Sequence, residues 1–521
     1  MTKLANGVLH TYDQAIKMLN RSPNSPELQH RAVLALVRAG SLQFALTEYT
    51  RYGLDKIGAL SAGELLEDIM ALGGRLQKDL FLASSGAEAK EHALQSAERY
   101  ETAFQKTDGY YSGINAATMA LISGMPEAMI QDRARTILRK LPSPEKLDKQ
   151  NRYFIQATRA EACLLLGEIN ETQAALRAAL NHDPLNYIAH ASTLKQFKMI
   201  LEKRSAPHDW LKVFRPPQPA HFAGHMFQQG GNTSPGILDI ATIDRLKVQI
   251  SDALQQHDIG FGYGALAAGS DILIAETMLE EGCELNVVLP VAPELFSRHS
   301  VLPYGDNWQI RFEACMAQAS SIIITSESAD WPVLETDNFS RCIAMGKTVL
   351  QAEYLSVMPI QLLIWDEVEG QAGTAKGREK WRLSGRDQII LTYPGLRKTK
   401  RFSMLEPQPK PLNASVYRAD TDTIHNFTCV FEAVKTAFTW QKSSDHTLKL
   451  GLHLSLGSDS EAQVDTARIL AMAAVPGGIL ISEPAVSFLI LDHLQQYAMD
   501  YMGVVDEGEV RIRAFSLQAK G

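Results

Sequence analysis

Cysteine is scarce. The 521 residues hold five, Cys163, Cys283, Cys315, Cys342 and Cys429, scattered and with no C-x-x-C. That excludes a disulfide framework or a zinc ribbon and fits a reducing cytosol. Long apolar runs are absent too. None approaches the roughly 18 residues of a membrane span. The opening Met-Thr-Lys-Leu-Ala-Asn-Gly lacks the apolar core of a signal peptide. Positive charge is not in excess: 51 Lys and Arg against 59 Asp and Glu leave a net charge of −8. No global field attracts nucleic acid, which leaves a local basic patch as the alternative. A cytoplasmic protein is expected, with neither membrane nor nucleic acid as partner. No H-E-x-x-H, G-x-S-x-G, EF-hand or Walker A pattern occurs. Neither a metal site nor a catalytic residue is expected.

The 45% hydrophobic content is enough for real cores. At about 100–200 residues per domain the length suggests three. Residues 1–205 read as helix throughout, with candidates at 27–39, 42–53, 62–83, 86–106, 111–123, 126–140, 149–166, 169–182 and 186–203. Ala162, Leu165, Leu166 and Ile169 show the helical spacing. Turn residues such as Gly40, Gly109, Gly167 and Asp183–Pro184 mark the breaks. Prolines 207, 216, 217 and 219 make 206–219 a linker.

Residues 220–395 alternate strand and helix. Strands are expected at 220–224, 258–262, 284–289, 320–325, 347–351 and 360–365. Helices are expected at 239–256, 269–281, 307–318 and 336–345. This order implies a parallel sheet with helices on both faces. A second linker, 396–411, holds Glu406-Pro-Gln-Pro-Lys-Pro. Residues 412–521 read as a small α+β domain: a strand at 413–418, a helix at 422–441, strands at 447–455 and 478–482, and a closing strand pair within 497–517.

Within 153–184, the small residues Ala157, Ala160, Gly167, Ala174 and Ala178 allow two antiparallel helices to approach closely. This unit resembles a tetratricopeptide repeat, and 27–53 looks like another. Tyr110-Tyr-Ser-Gly-Ile-Asn-Ala-Ala-Thr-Met resembles bacterial relatives of the TRAF-binding helical region of some mitogen-activated protein kinase kinase kinases. A plain helical bundle is the alternative. Either form is a scaffold with a concave face for a protein partner.

The glycine-rich stretch Ile259-Gly-Phe-Gly-Tyr-Gly-Ala-Leu-Ala-Ala-Gly-Ser-Asp opens a helix. Glycines at a strand-to-helix turn let amides approach a phosphate at a positive helix end. A structural turn, with Ser270 and Asp271 as helix caps, is the other reading. Gly262 to Asp271, with Ala275-Glu276 and Val287-Val-Leu-Pro290, resembles the SLOG superfamily, which has a Rossmann-like sheet. That resemblance implies a nucleotide or nucleotide-derived ligand at Gly262, Gly264, Gly269, Ser270, Asp271 and Glu276. Phe222-Ala-Gly-His225 resembles the first-strand turn of that group and adds Gly224. Ser321-Ile-Ile-Ile-Thr-Ser326 resembles the later strand that borders the ligand and adds Ser326. Arg311 is either a fork donor to a phosphate or part of a solvated helix face. The P-G-G-x-G-T-x-x-E motif of the hydrolytic branch is missing; Ser326-Glu-Ser-Ala-Asp-Trp-Pro occupies its place. Binding is therefore expected rather than hydrolysis.

Leu448-Lys-Leu-Gly-Leu-His453, Thr466-Ala-Arg-Ile469 and Ala474-Val-Pro-Gly-Gly-Ile-Leu-Ile-Ser-Glu483 resemble class III adenylate/guanylate cyclases. Arg468 matches the transition-state Arg of that family, but Val464 replaces its Asn. The metal-holding strand is reduced to Arg401-Phe-Ser-Met-Leu405, and Asp420 and Asp422 read as helix caps. The resemblance implies an inactive module for dimerisation or regulation, and pairing into a homodimer.

The expected fold is multidomain: tetratricopeptide-like all-α repeats, an α/β Rossmann-like parallel sheet, then a small α+β cyclase-like domain. The expected function is a bacterial signalling sensor that binds a nucleotide-like molecule and a protein partner. A nucleotide hydrolase, transferase or cyclase, and a pure scaffold, are the alternatives.

Overall fold

The structure is a computed structural model. It describes residues 3–5, 7–58, 65–143, 147–230, 237–326, 334–366, 373–393, 412–444, 446–456, 460–493, 495–507 and 510–520. The chain opens with a strand, β1 (Lys3–Ala5), where helix was expected. Helices α1 (Val8–Leu19), α2 (Pro26–Arg38), α3 (Leu42–Arg51), α4 (Leu66–Ala83) and α5 (Gly86–Thr107) follow. Next come α6 (Tyr110–Ser123), α7 (Glu127–Lys140), α8 (Lys149–Leu166), α9 (Ile169–His182) and α10 (Tyr187–Lys203). Their ends obey local chemistry. The Asp148 carboxylate accepts the Asn151 amide at 2.9 Å and caps α8, and Gly167 ends it with φ of 81°.

A polar seam ties α4, α6, α8 and α10 together. Lys78 donates to Gln196 at 2.8 Å. Glu161 accepts from Thr118 at 2.5 Å and from Gln196 at 2.9 Å. Burial pushes the Glu161 carboxyl up and the Lys78 ammonium down from their ordinary values.

The middle part holds β2 (Gln218–Gly224), the short pair β3 (Gln228–Gln229) and β4 (Ile237–Leu238), α11 (Ile240–Gln256), β5 (Ile259–Gly264), α12 (Ser270–Glu280) and β6 (Glu284–Leu289). It continues with α13 (Pro293–Ser300), α14 (Asp306–Gln318), β7 (Ser321–Ile324), α15 (Leu334–Leu355), β8 (Ile360–Trp365), α16 (Thr374–Leu383) and β9 (Gln388–Thr392). Six of these strands form one parallel sheet in the order β7-β6-β5-β2-β8-β9. The expected strand at 347–351 is the middle of α15. Thr348-Val-Leu350 is apolar because this helix is enclosed on several sides, not because it pairs in a sheet.

The last part contains β10 (Leu412–Arg418), β11 (Thr423–Phe427), α17 (Val430–Lys442), β12 (Leu450–Leu456), α18 (Ser460–Ala473), β13 (Ile479–Ser482) and α19 (Glu483–His493). It ends with β14 (Tyr497–Ala498), β15 (Tyr501–Glu507), β16 (Val510–Ser516) and β17 (Gln518–Ala519). A seven-stranded mixed sheet runs β1-β15-β16-β13-β12-β10-β11, parallel only between β12 and β13. The helix expected to start at 422 starts at Val430, because β11 precedes it. Asp420 and Asp422 are therefore not helix caps. They lie in the β10–β11 turn, Asp420 pairing with Arg418 and Asp422 accepting from the Tyr417 hydroxyl. Arg401–Leu405 lies outside the described residues.

The three parts share cores. Along β13 the side chains alternate: Ile479 and Ile481 face one core, Leu480 the other. The first core joins Val288 of β6 and Phe339 and Ile343 of α15 to Val434 of α17 and Leu489 of α19. The second joins Val33, Leu36 and Leu72 of the helical part to Val505 and Ile512 of the mixed sheet. Strand β1 pairs with β15, so the first residues of the chain complete its last sheet.

Candidate functional site

Strand order in the parallel sheet reverses at β2, whose neighbours are β5 and β8. Ligands of such sheets settle beyond the carboxyl ends of the strands at this reversal. A cavity of about 330 Å³ lies there, beside Gly224, His225, Asp271, Ser340, Arg341 and Thr374.

The glycine turn is built inward. Gly262 and Gly264 are strand residues of β5, paired with Leu285 and Val287. A methyl group at Gly264 would sit 2.6 Å from the Phe222 carbonyl oxygen, so glycine is required by close packing. Gly269 precedes α12 with φ of 95° and bridges to Met226. The Ser270 hydroxyl donates to the His225 carbonyl at 2.7 Å rather than capping the helix. The Asp271 carboxylate accepts the Gly224 amide at 2.9 Å and the Ala267 amide at 3.3 Å. The Ala268 amide donates to the Ser300 carbonyl at 2.9 Å. The amides of Gly224, Ala267, Ala268 and Ser270 are thus engaged within the fold. The anion at this helix N-terminus is the chain's own carboxylate. Burial pushes the Asp271 carboxyl up to about 7, against the two amide bonds that pull it down.

Of the nine expected residues, Gly224 and Asp271 line the cavity; Gly262, Gly264, Gly269, Ser270, Glu276, Arg311 and Ser326 do not. Glu276 and Arg311 form a two-pronged ion pair at 2.7 and 2.5 Å, with Arg311 over the Trp308 ring at 4.1 Å. That pair joins α12 to α14. Ser326 follows β7.

Sequence reasoning missed Arg341, Asp337, Ser340 and Thr374, which line the cavity. Arg341 pairs with Asp337 at 2.5 Å, and the Thr374 hydroxyl donates to the Gly224 carbonyl at 3.1 Å. His225 Nε2 lies 3.0 Å from the Asp366 carboxylate. His221 stacks on Trp381 and lies 3.1 Å from Gln361. Burial, helped by Arg341, holds His221 down at about 3. No motif flags Arg341, Asp337 or Thr374, which come together from separate elements, whereas His225 ends the Phe222-Ala-Gly-His225 stretch. Among the described residues no cluster of His, Cys, Asp and Glu could hold a metal.

The Tetratricopeptide Repeats-Sensor family model matches residues 9–120. The helical hairpins of this chain are tetratricopeptide-like. No curated protein matches the chain. Among solved structures, a thermophilic TPR protein of Thermus thermophilus is 14% identical, with a TM-score of 0.28 over 36% of this chain and 89% of its own. The C-terminal part of a TPR repeat-containing protein of Cytophaga hutchinsonii is 10% identical, with a TM-score of 0.23 over 52% of this chain and 88% of its own. No described helix is long and apolar enough to cross a membrane.

Proposed function

We propose that this chain is a protein-interaction scaffold. Its tetratricopeptide-like repeats hold a protein partner, and the two α/β parts brace them. The observation that carries the reading is the repeat architecture itself: α1 to α10 follow one another in the described residues, and a repeat family matches the stretch from α1 into α6. Large apolar side chains stand in water on the last hairpin: Leu185 is 76% exposed and Ile188 72%. Phe154 is exposed too, and its neighbour Tyr153 stacks on His190 of the same helix as Ile188. Such a patch suits a protein contact. The test is capture of a stoichiometric partner from native extract by the full chain, with Leu185→Asp/Ile188→Asp as control. Loss of the partner in the variant supports the reading. Absence of any stoichiometric partner overturns it.

A second reading is favoured by the place of the 330 Å³ cavity at the strand-order reversal. There the chain binds a small nucleotide-derived ligand and acts as a sensor. With the turn amides engaged, the contacts come from side chains such as Arg341, Ser340 and Thr374. Thermal-shift titration with nucleotides and cyclic nucleotides checks this. A shift that Arg341→Ala abolishes supports it; no shift with any nucleotide removes it.

A further inference from the structure

A cavity of about 1480 Å³, larger than the one at the strand-order reversal, lies elsewhere, where α10, the connector at 208–215, α15, α16 and α19 meet. It exceeds the roughly 300–1,000 Å³ of small-molecule pockets. Its charge opposes that of the whole chain. Lys195 and Lys198 come from α10, Lys212 and Arg215 from the connector, Lys376 and Lys380 from α16, with Arg386 beyond. Against these seven stand three carboxylates, Glu353, Glu379 and Asp492. Ion-pair partners just outside, two of each sign, leave that count unchanged, and the Asp500 carboxylate faces Lys195 from beyond the lining. Lys520 pairs with Glu353 at 2.8 Å and Arg382 with Glu379 at 2.6 Å. Asp209 pairs with Lys212 at 2.5 Å and Glu202 with Lys198 at 3.6 Å. An excess of four positive charges sits in a chain of net charge −8.

The walls between the cations are apolar. Leu194, Leu211, Val349 and Val357 line them, and Met358 and Leu383 stand 53% and 71% exposed. No Phe, Tyr or Trp is among the described lining residues. Single-stranded nucleic acid is held by a basic groove together with aromatic platforms on which bases stack. This cleft has the charge without the platforms. It offers instead apolar contacts spaced among ammonium groups, which complement a polypeptide with both carboxylates and aliphatic side chains.

We propose that this cleft docks an acidic, leucine-containing peptide segment of the partner protein. The proposal rests on the scaffold reading and names the partner's chemistry. Lys195, Lys198, Lys212 and Lys376 are exposed and lie in the cleft wall, so they can meet carboxylates without unfolding anything.

The experiment is fluorescence anisotropy with the full chain and a labelled peptide of repeated Glu-Leu-Asp-Glu. A peptide of repeated Glu-Gly-Asp-Glu and a single-stranded oligonucleotide of equal charge serve as comparisons. The expected result is saturable binding of the leucine peptide. Binding should weaken at least tenfold in Lys198→Glu/Lys212→Glu/Lys376→Glu and several-fold without the leucines. The melting temperature of the variant confirms that it is folded; should it not be, Lys198→Gln/Lys376→Gln replaces it. No saturable binding of the leucine peptide overturns the proposal, and so does tighter binding of the oligonucleotide. Capture of the native partner distinguishes the two failures. A partner retained undiminished by the charge-reversed chain sinks the cleft and leaves the scaffold standing, whereas no partner at all sinks both.

Discussion

The Asp271 carboxylate accepts the amide hydrogen of Gly224 at 2.9 Å, joining the end of β2 to the first turn of α12. A second amide, from Ala267, reaches its other oxygen at 3.3 Å. The turn that looks shaped for a phosphate holds an internal acid, and burial keeps that acid's pKa near 7. A carboxyl raised in the folded state binds a proton that the unfolded chain has already released. Stability contributed by this group is therefore present at low pH and lost as pH rises through about 7.

Asp271→Asn tests this. The amide still accepts the Gly224 hydrogen but cannot ionise. Relative to the native chain, the variant should gain roughly 2–3 kcal/mol between pH 5 and pH 8 in urea unfolding, since a tenfold change in acidity is worth about 1.4 kcal/mol. His221 has the opposite slope. Its pKa is depressed to about 3, so its contribution is complete above about 6.5 and lost as pH falls. It is present in both proteins and cancels in the difference. A difference that does not change with pH would refute the buried-acid account.

Gly264→Ala should destabilise the middle sheet by about 1–3 kcal/mol, the range of overpacking with backbone shift. The added methyl would lie 2.6 Å from the Phe222 carbonyl oxygen, which β2 holds in place. Chemical denaturation and a crystal structure of the variant check it. A neutral effect would mean that β2 and β5 are free to move apart.

Much of the helical half was legible because its signal is local. The spacing of apolar side chains places 149–166 and 169–182 at the observed bounds, with Gly167 ending one helix in the left-handed region. The strands at 284–289 and 360–365 were equally plain. What could not be read is whatever depends on distant partners. Thr348-Val-Leu looks like a strand until α19 is known to cover it: a Cβ at neighbouring Gly346 would meet the backbone of Ser487. The site suffered in the same way. Asp271 carries the same local pattern whether its carboxylate caps a helix, meets a ligand or clasps Gly224 and Ala267. Arg341, Asp366 and Thr374 share no motif, and only the fold gathers them.

Glu483 is buried between two cations, Lys347 at 2.5 Å and Arg513 at 3.2 Å, at the seam of α15 and α19. Lys347→Met removes the closer one and leaves the carboxylate half-compensated. A loss of about 1–3 kcal/mol is expected, below the full penalty of an unpaired buried charge because Arg513 remains. Replacing both, Lys347→Met with Glu483→Leu, should recover part of that loss. A double-mutant cycle in urea measures the coupling. A coupling near zero would mean that the ion pair contributes no net interaction.

Shared cores make a last prediction about how the chain unfolds. A chain of this length ordinarily melts domain by domain. Here Val33 and Leu36 pack with Val505 and Ile512, and the Ser41 hydroxyl donates to the Pro476 carbonyl at 2.5 Å. The helical half and α18 therefore pack on one face of the mixed sheet, while α17 and α19 cover the other and α15 of the middle part packs on α19. Neither face can be bared without exposing apolar side chains to water. Calorimetry of the full chain should show one dominant transition, and near- and far-ultraviolet circular dichroism should melt together. Residues 1–205 produced alone should bind a hydrophobic dye and self-associate, because Leu36, Leu72 and Leu76 lose their cover. Two well-separated transitions, or a monomeric, dye-silent helical fragment, would show that the repeats need no sheet to fold against.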